Sequence, residues 1–172
     1  MTRPFHRDLV FGRAAERSPW VRQALALLYP DSEIASADAK DDRKGVDLWV
    51  IKPSGARVGA QVKARRVSFW GDVFLEVYSD AAKGVPGWIS KPEAELLLVV
   101  YRDVVLVFHL PTLAYLTRMN LEKWLSKGYG HRTRSEKRPG KVYESLGVFV
   151  PLQELGPALL LSVPKLKTGD AA

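Results

Sequence analysis

The sequence predicts a mixed β-sheet flanked by helices, of the α/β or α+β class. Three observations point there. Residues 7–29 carry helical periodicity, the stretch GVDLWVIKPSGARVGAQVKARR (45–66) alternates with period two, and 93–101 and 104–109 are continuous apolar runs. The order helix, strands, helix, strand has no repeat and no linker, and 172 residues suit one domain (1–172) with a full core.

Taken in order, the first helical stretch breaks at Ser18-Pro19, where Ser18 is a natural N-cap and Pro19 a natural first residue of a second helix. Trp20, Ala24, Leu27 and Leu28 give that second piece an apolar stripe. The polar, acidic segment 30–44 reads as a loop, with Glu33, Asp38, Asp41 and Asp42 solvated unless the loop adds a ligand to a neighbouring site. Two strands follow around a Pro53-Ser54-Gly55 turn. A third is expected at 72–79, with Val73, Leu75 and Val77 on one face and Phe74, Glu76 and Tyr78 on the other. Residues 79–92 read as a long Gly-, Pro- and Lys-bearing connection. The two apolar runs, separated by Arg102-Asp103, suit buried central strands. Pro111 opens a helix to about Trp124, 127–141 reads as a mobile basic loop, 142–150 as the last strand of the sheet, 151–163 as a short packing element, and 166–172 as a frayed tail.

Composition narrows the chemistry. With 26 Lys+Arg against 19 Asp+Glu the net charge is +7, which favours a polyanionic partner, nucleic acid before membrane. The absence of cysteine excludes thiolate metal sites, disulfides and Cys nucleophiles, and His6, His109 and His131 are too scattered for zinc. No segment reads as a signal peptide or a bilayer span, so no membrane is expected and the compartment is taken as cytoplasmic.

The hairpin carries the candidate chemistry. Val58, Ala60, Val62 and Ala64 point one way; Arg57, Gly59, Gln61, Lys63 and Arg65 point the other. If the hairpin is centred on Ser54, Asp47 falls opposite Gln61, with Cβ atoms roughly 5 Å apart, and Lys63 follows on the same face. A carboxylate, an amide oxygen and an ammonium would then share one patch able to hold a divalent cation. The plainer reading is a strand showing a polar face to solvent. Glu16, which lies in FGRAAER at the end of the first helical piece, is by itself most simply solvated or paired with arginine.

With these residues placed, the chain resembles the PD-(D/E)XK nuclease superfamily. Gly45-Val46-Asp47 looks like the first half of its signature and Gln61-Val62-Lys63 the second, with Glu16 matching the acidic residue on the first helix. FGRAAER, FLEVYSDAAKGVPGWISKPEAELLLVVY and VFVPLQEL further resemble the phage and archaeal Holliday-junction-resolvase-like branch, over most of 7–155. Gln61 departs from the usual Glu or Asp; an amide oxygen still ligates Mg²⁺ but brings no charge.

The resemblance implies a restriction-endonuclease-like fold and a metal-dependent DNA endonuclease, selective for branched duplex. Asp47, the Gln61 oxygen, the Val62 carbonyl and Glu16 would hold Mg²⁺ or Mn²⁺, Lys63 would serve the attacking water, and Glu76 is either an additional metal contact or a cross-strand pair. Arg65 and Arg66 are expected to clamp phosphates, with Ser90 and Lys91 in a DNA-facing loop. His131, Arg132, Arg134, Lys137, Arg138 and Lys141 would contact the DNA backbone, unless the loop is merely solvated. Paired cutting implies a homodimer, for which Trp49, Trp70 and Trp88 are candidate anchors where they are not core. The cytoplasm would be a host's for a phage-encoded chain. Competing readings are a non-catalytic nucleic-acid-binding subunit that keeps the fold, and a sequence-specific restriction or transposition endonuclease.

Overall fold

The computed structural model describes residues 5–90, 93–138 and 141–165. Two helices, α1 (Phe5–Glu16) and α2 (Pro19–Leu28), open the chain, separated at Ser18 as its Ser-Pro sequence suggests. Ser18 takes the extended backbone of an N-cap, yet its side chain makes no capping bond. The conformational preset comes from Pro19, whose missing N–H costs nothing in a first turn.

Next come β1 (Glu33–Ser36), a single turn α3 (Ala39–Asp42), β2 (Leu48–Ile51) and β3 (Arg57–Ala64). Then follow β4 (Asp72–Asp80), β5 (Val85–Pro86), β6 (Leu96–Val100), β7 (Val104–His109) and α4 (Leu110–Ser126). The chain continues through β8 (Gly130–Arg138), β9 (Lys141–Pro151), a 3-10 segment at Leu152–Ala158 and β10 (Leu159–Pro164).

Six strands form a mixed sheet in the order β1-β2-β3-β6-β7-β10. Only β3 and β6 run parallel within it; the other neighbours are antiparallel. Every residue of β6 is buried, as its Leu-Leu-Leu-Val-Val sequence requires of a strand covered on both faces. On one face, Val21, Ala24 and Leu25 of α2 and Ala15 of α1 pack on Leu48, Val50, Val58, Ala60, Val62 and Leu98. On the other, Leu97, Val99 and Phe108 meet Leu113 and Trp124 of α4 and a second sheet.

That second sheet is the main departure from expectation. Its order is β5-β4-β9-β8, all antiparallel, and Val73, Leu75, Val148 and Val150 supply its core face. The segment 142–150 is therefore a strand, but it pairs with β4 and not with the main sheet. The basic segment 127–141, expected as a mobile loop, contributes β8, which pairs along β9 from Gly130↔Val148 to Arg138↔Lys141. A string such as His-Arg-Thr-Arg-Ser satisfies a strand that is hydrogen-bonded on one side only, because little of it needs to be buried. β1 is a second strand hidden in a segment read as loop; it is also an edge, paired to β2 alone. A bulge between Glu76 and Tyr78 breaks the expected alternation of β4, so Tyr78 packs on the core and does not share a face with Glu76. The element expected at 151–163 divides into the 3-10 segment and β10, the far edge of the main sheet. The tail 166–172 lies outside the described residues, and among those described no helix is long and apolar enough to cross a membrane.

Candidate functional site

The β2–β3 hairpin is centred on Ser54, as Leu48↔Ala60 and Ile51↔Arg57 show. Carried one position outward, the same register sets Asp47 beside Gln61. The Asp47 N–H donates to the Ala60 carbonyl at 2.9 Å, and its Oδ2 accepts the Val62 N–H at 2.6 Å. Gly45, at φ +84°, turns the chain out of α3 into this position, a conformation that a side chain would strain. Val62 thus contributes its N–H to holding the carboxylate, while its side chain is buried against the helical face.

Gln61 alternates to the opposite face from Val62 and is 5% exposed. Its Oε1 is the one buried side-chain nitrogen or oxygen among the described residues that lacks a hydrogen-bond partner. An orphaned buried acceptor costs about 1–3 kcal/mol, so such an atom calls for a partner, a water or a bound cation. Lys63 follows on the same face, half-buried, with Nζ 6.0 Å from the Trp88 ring centre.

Electrostatics tie Glu16 to the hairpin. Burial pushes the Glu16 carboxyl above its ordinary value, and the Asp47 and Asp42 charges add to the rise; Arg13 and Lys63 oppose it. The Asp47 carboxyl is also raised, mainly by burial and also by Asp42, against the lowering by the Val62 N–H and Lys63. Glu16, Asp47, Asp42 and Lys63 therefore share one field. Asp42 comes from the acidic segment expected to be solvated unless it adds a ligand to a neighbouring site, and it is the member of that segment whose charge reaches both Glu16 and Asp47. The available signal was its position in a short acidic turn directly before the Gly45-Val46-Asp47 bend. Its neighbours are spent structurally: Asp38 caps α3 through the Lys40 and Asp41 N–H groups, and Asp41 accepts the Trp49 indole N–H at 2.9 Å.

Among the described residues no three His, Cys, Asp or Glu side chains converge as a ligand cluster. The donor set here is mixed: two carboxylates in a common field and one unclaimed amide oxygen, all hard oxygens of the kind Mg²⁺ or Mn²⁺ takes. These residues fit such an ion. Glu76 pairs across from Gly147 on the face that carries Phe74.

The expected DNA-contacting residues divide into separate places. The Arg65 guanidinium lies 5.1 Å from the Phe74 ring centre and 5.7 Å from that of Phe149; Arg66 lies 4.7 Å from that of Phe11. Ser90 ends a 3-10 turn (Trp88–Ser90) and lines a cleft with Tyr78, Pro111 and Tyr115 of α4, while Lys91 lies outside the described residues. His131, Arg132, Arg134, Lys137 and Arg138 belong to β8 and Lys141 to β9, so these residues lie on an edge hairpin of the second sheet. Glu144 binds both Arg132 and Arg134, the second at 3.5 Å, which offsets part of that charge. Of the candidate tryptophan anchors, Trp49 and Trp88 are half-buried and Trp70 is 83% exposed.

Comparison with known protein families, curated proteins and solved structures returns no significant match.

Proposed function

We propose that this chain is a divalent-cation-dependent DNA endonuclease of PD-(D/E)XK type, with a restriction-endonuclease-like core and selectivity for branched duplex. The observation that carries the reading is the unpartnered, buried Oε1 of Gln61, held beside Asp47 on a hairpin whose field also includes Glu16 and Lys63.

Asp47, Gln61 and Glu16, with the Val62 carbonyl, would hold Mg²⁺ or Mn²⁺; the bound ion supplies Lewis-acid charge for phosphodiester hydrolysis. Asp47 is positioned by the Val62 N–H before any ion arrives, so little reorganisation is needed on binding. Gln61 supplies an oxygen without charge, which places the burden of neutralising the cation on Asp47, Glu16 and Asp42. Lys63 orients the attacking water and offsets negative charge that builds on the phosphorus oxygens. Arg65 and the β8 arginines bind phosphates without reading bases. Paired incision of a junction needs two such sites, and hence a homodimer.

The test is cleavage of a labelled four-way junction beside linear duplex and single strand, with Mg²⁺, Mn²⁺ or EDTA, for wild type and Asp47→Asn. The expected result is paired, cation-dependent incisions in the junction that vanish in the variant. Uniform cutting of all three DNAs would remove the selectivity and keep the nuclease. Junction binding without cleavage under either ion would replace the enzyme with a DNA-binding subunit.

A further inference from the structure

We infer that the face of the second sheet bearing Phe74, Phe149 and His131 binds an unpaired nucleotide of the DNA, with Arg65 on its phosphate and the rings against its base. The inference rests on the nucleic-acid reading above and adds to it a preference for branched DNA that carries an unpaired stretch.

Phe74 and Phe149 sit directly opposite each other on β4 and β9, on the face opposite Val73, Leu75, Val148 and Val150. Their ring centres are 5.0 Å apart, and the His131 ring meets Phe149 at 5.3 Å in an edge-on arrangement. The cluster has a backbone requirement: a Cβ on Gly147 would come within 2.3 Å of the Phe74 ring, so only glycine lets that ring lie across the strand. Both phenylalanines remain half-buried and His131 is exposed, so the rings present partly open surface rather than a sealed core.

Arg65 joins this cluster to the hairpin. It follows Lys63 by two positions, its N–H donates to the Val100 carbonyl at 2.8 Å, and its guanidinium lies over Phe74 and Phe149. Among the described residues no carboxylate stands within ion-pair distance of it, whereas Arg132 and Arg134 are both engaged by Glu144. A cation held in place by two rings, with its charge not offset by an acid, matches an anion attached to a flat apolar group. A nucleotide has that composition. In continuous duplex the base faces are already stacked on one another; only an unpaired base can offer its π-face to protein rings.

The test is fluorescence anisotropy in EDTA, with a labelled flapped duplex and a labelled continuous duplex of the same length. Wild type is expected to bind the flap about tenfold more tightly, the gain typical of one stacked base. Phe149→Leu should remove most of that preference and His131→Ala part of it, with duplex affinity held within about twofold. Arg65→Gln should weaken binding to both DNAs. Equal affinity of wild type for the two DNAs overturns the inference. So does an equal loss for both DNAs in the ring variants, which would leave the rings as a scaffold for Arg65 alone. His131→Ala, at an exposed position, decides the matter if Phe149→Leu does not fold. Flap preference without cation-dependent cleavage would sink the nuclease and keep this surface; cleavage without flap preference would do the reverse.

Discussion

The Val62 N–H donates to Asp47 Oδ2 at 2.6 Å across the hairpin, which fixes a carboxylate from one strand beside Gln61 on the next. Because that carboxylate serves as acceptor for a backbone donor, its structural and chemical roles separate under substitution. Asp47→Asn keeps an acceptor, so its stability in urea should stay close to wild type while cation-dependent cleavage is lost. Asp47→Ala leaves the Val62 N–H unpaired and should cost about 1–3 kcal/mol in addition to activity. Equal stability of the two variants would show that this hydrogen bond contributes nothing to the fold.

Gln61 makes the opposite prediction. Its Oε1 is buried without a partner, so Gln61→Met, similar in size and without the amide, should be neutral or stabilising by up to about 2 kcal/mol. The same change should abolish any rise in melting temperature on adding Mg²⁺ or Mn²⁺. A variant markedly less stable than wild type in EDTA would mean that the amide already has a partner in solution.

Glu144 holds Arg132 and Arg134 on the outer hairpin, and those arginines keep its carboxyl below its ordinary value. Glu144→Gln should release both guanidinium groups to phosphates. DNA affinity should rise, and the slope of log K against log salt should steepen by up to about two. An unchanged slope would place this edge outside the DNA footprint.

Glu154 supplies a pH prediction at a purely structural site. It accepts from Lys127 Nζ at 2.6 Å and from the Trp124 indole at 2.7 Å, and these donors depress its carboxyl below the ordinary 4.5. A depressed folded value means that the unfolded chain takes up the proton first. The stabilisation is therefore complete above 4.5 and is lost as pH falls through the lower, folded value. Urea midpoints of wild type and Glu154→Gln should differ at neutral pH and converge in acid. A gap that persists or widens in acid would reverse this assignment.

The elements that could be read from the sequence are those specified by local rules. The turn at Pro53-Ser54-Gly55 set the hairpin register, and the Ser18-Pro19 break separated α1 from α2. Continuous apolar runs marked β6 and β7 as buried, and Pro111 marked the first turn of α4. What escaped were the edge strands. β8 carries a polar sequence because an edge has one paired side and little to bury, and β1 spans only four residues, Glu33–Ser36, too few for a hydrophobic period to separate it from a loop. The alternation His131, Arg132, Thr133, Arg134 before Pro139-Gly140 was the available hint of a hairpin, obscured by its charge.

The sequence by itself determined the hairpin and, through its register, that Asp47, Gln61 and Lys63 meet on one face, because period and turn act over a few residues. Only the tertiary structure decided that Asp42 joins the field of Glu16 and Asp47, and that the Gln61 oxygen is buried with no partner. It alone also divided the strands between two sheets and laid Arg65 on Phe74 and Phe149. Those outcomes depend on desolvation and on contacts between segments far apart in the chain, and neither leaves a local pattern to read.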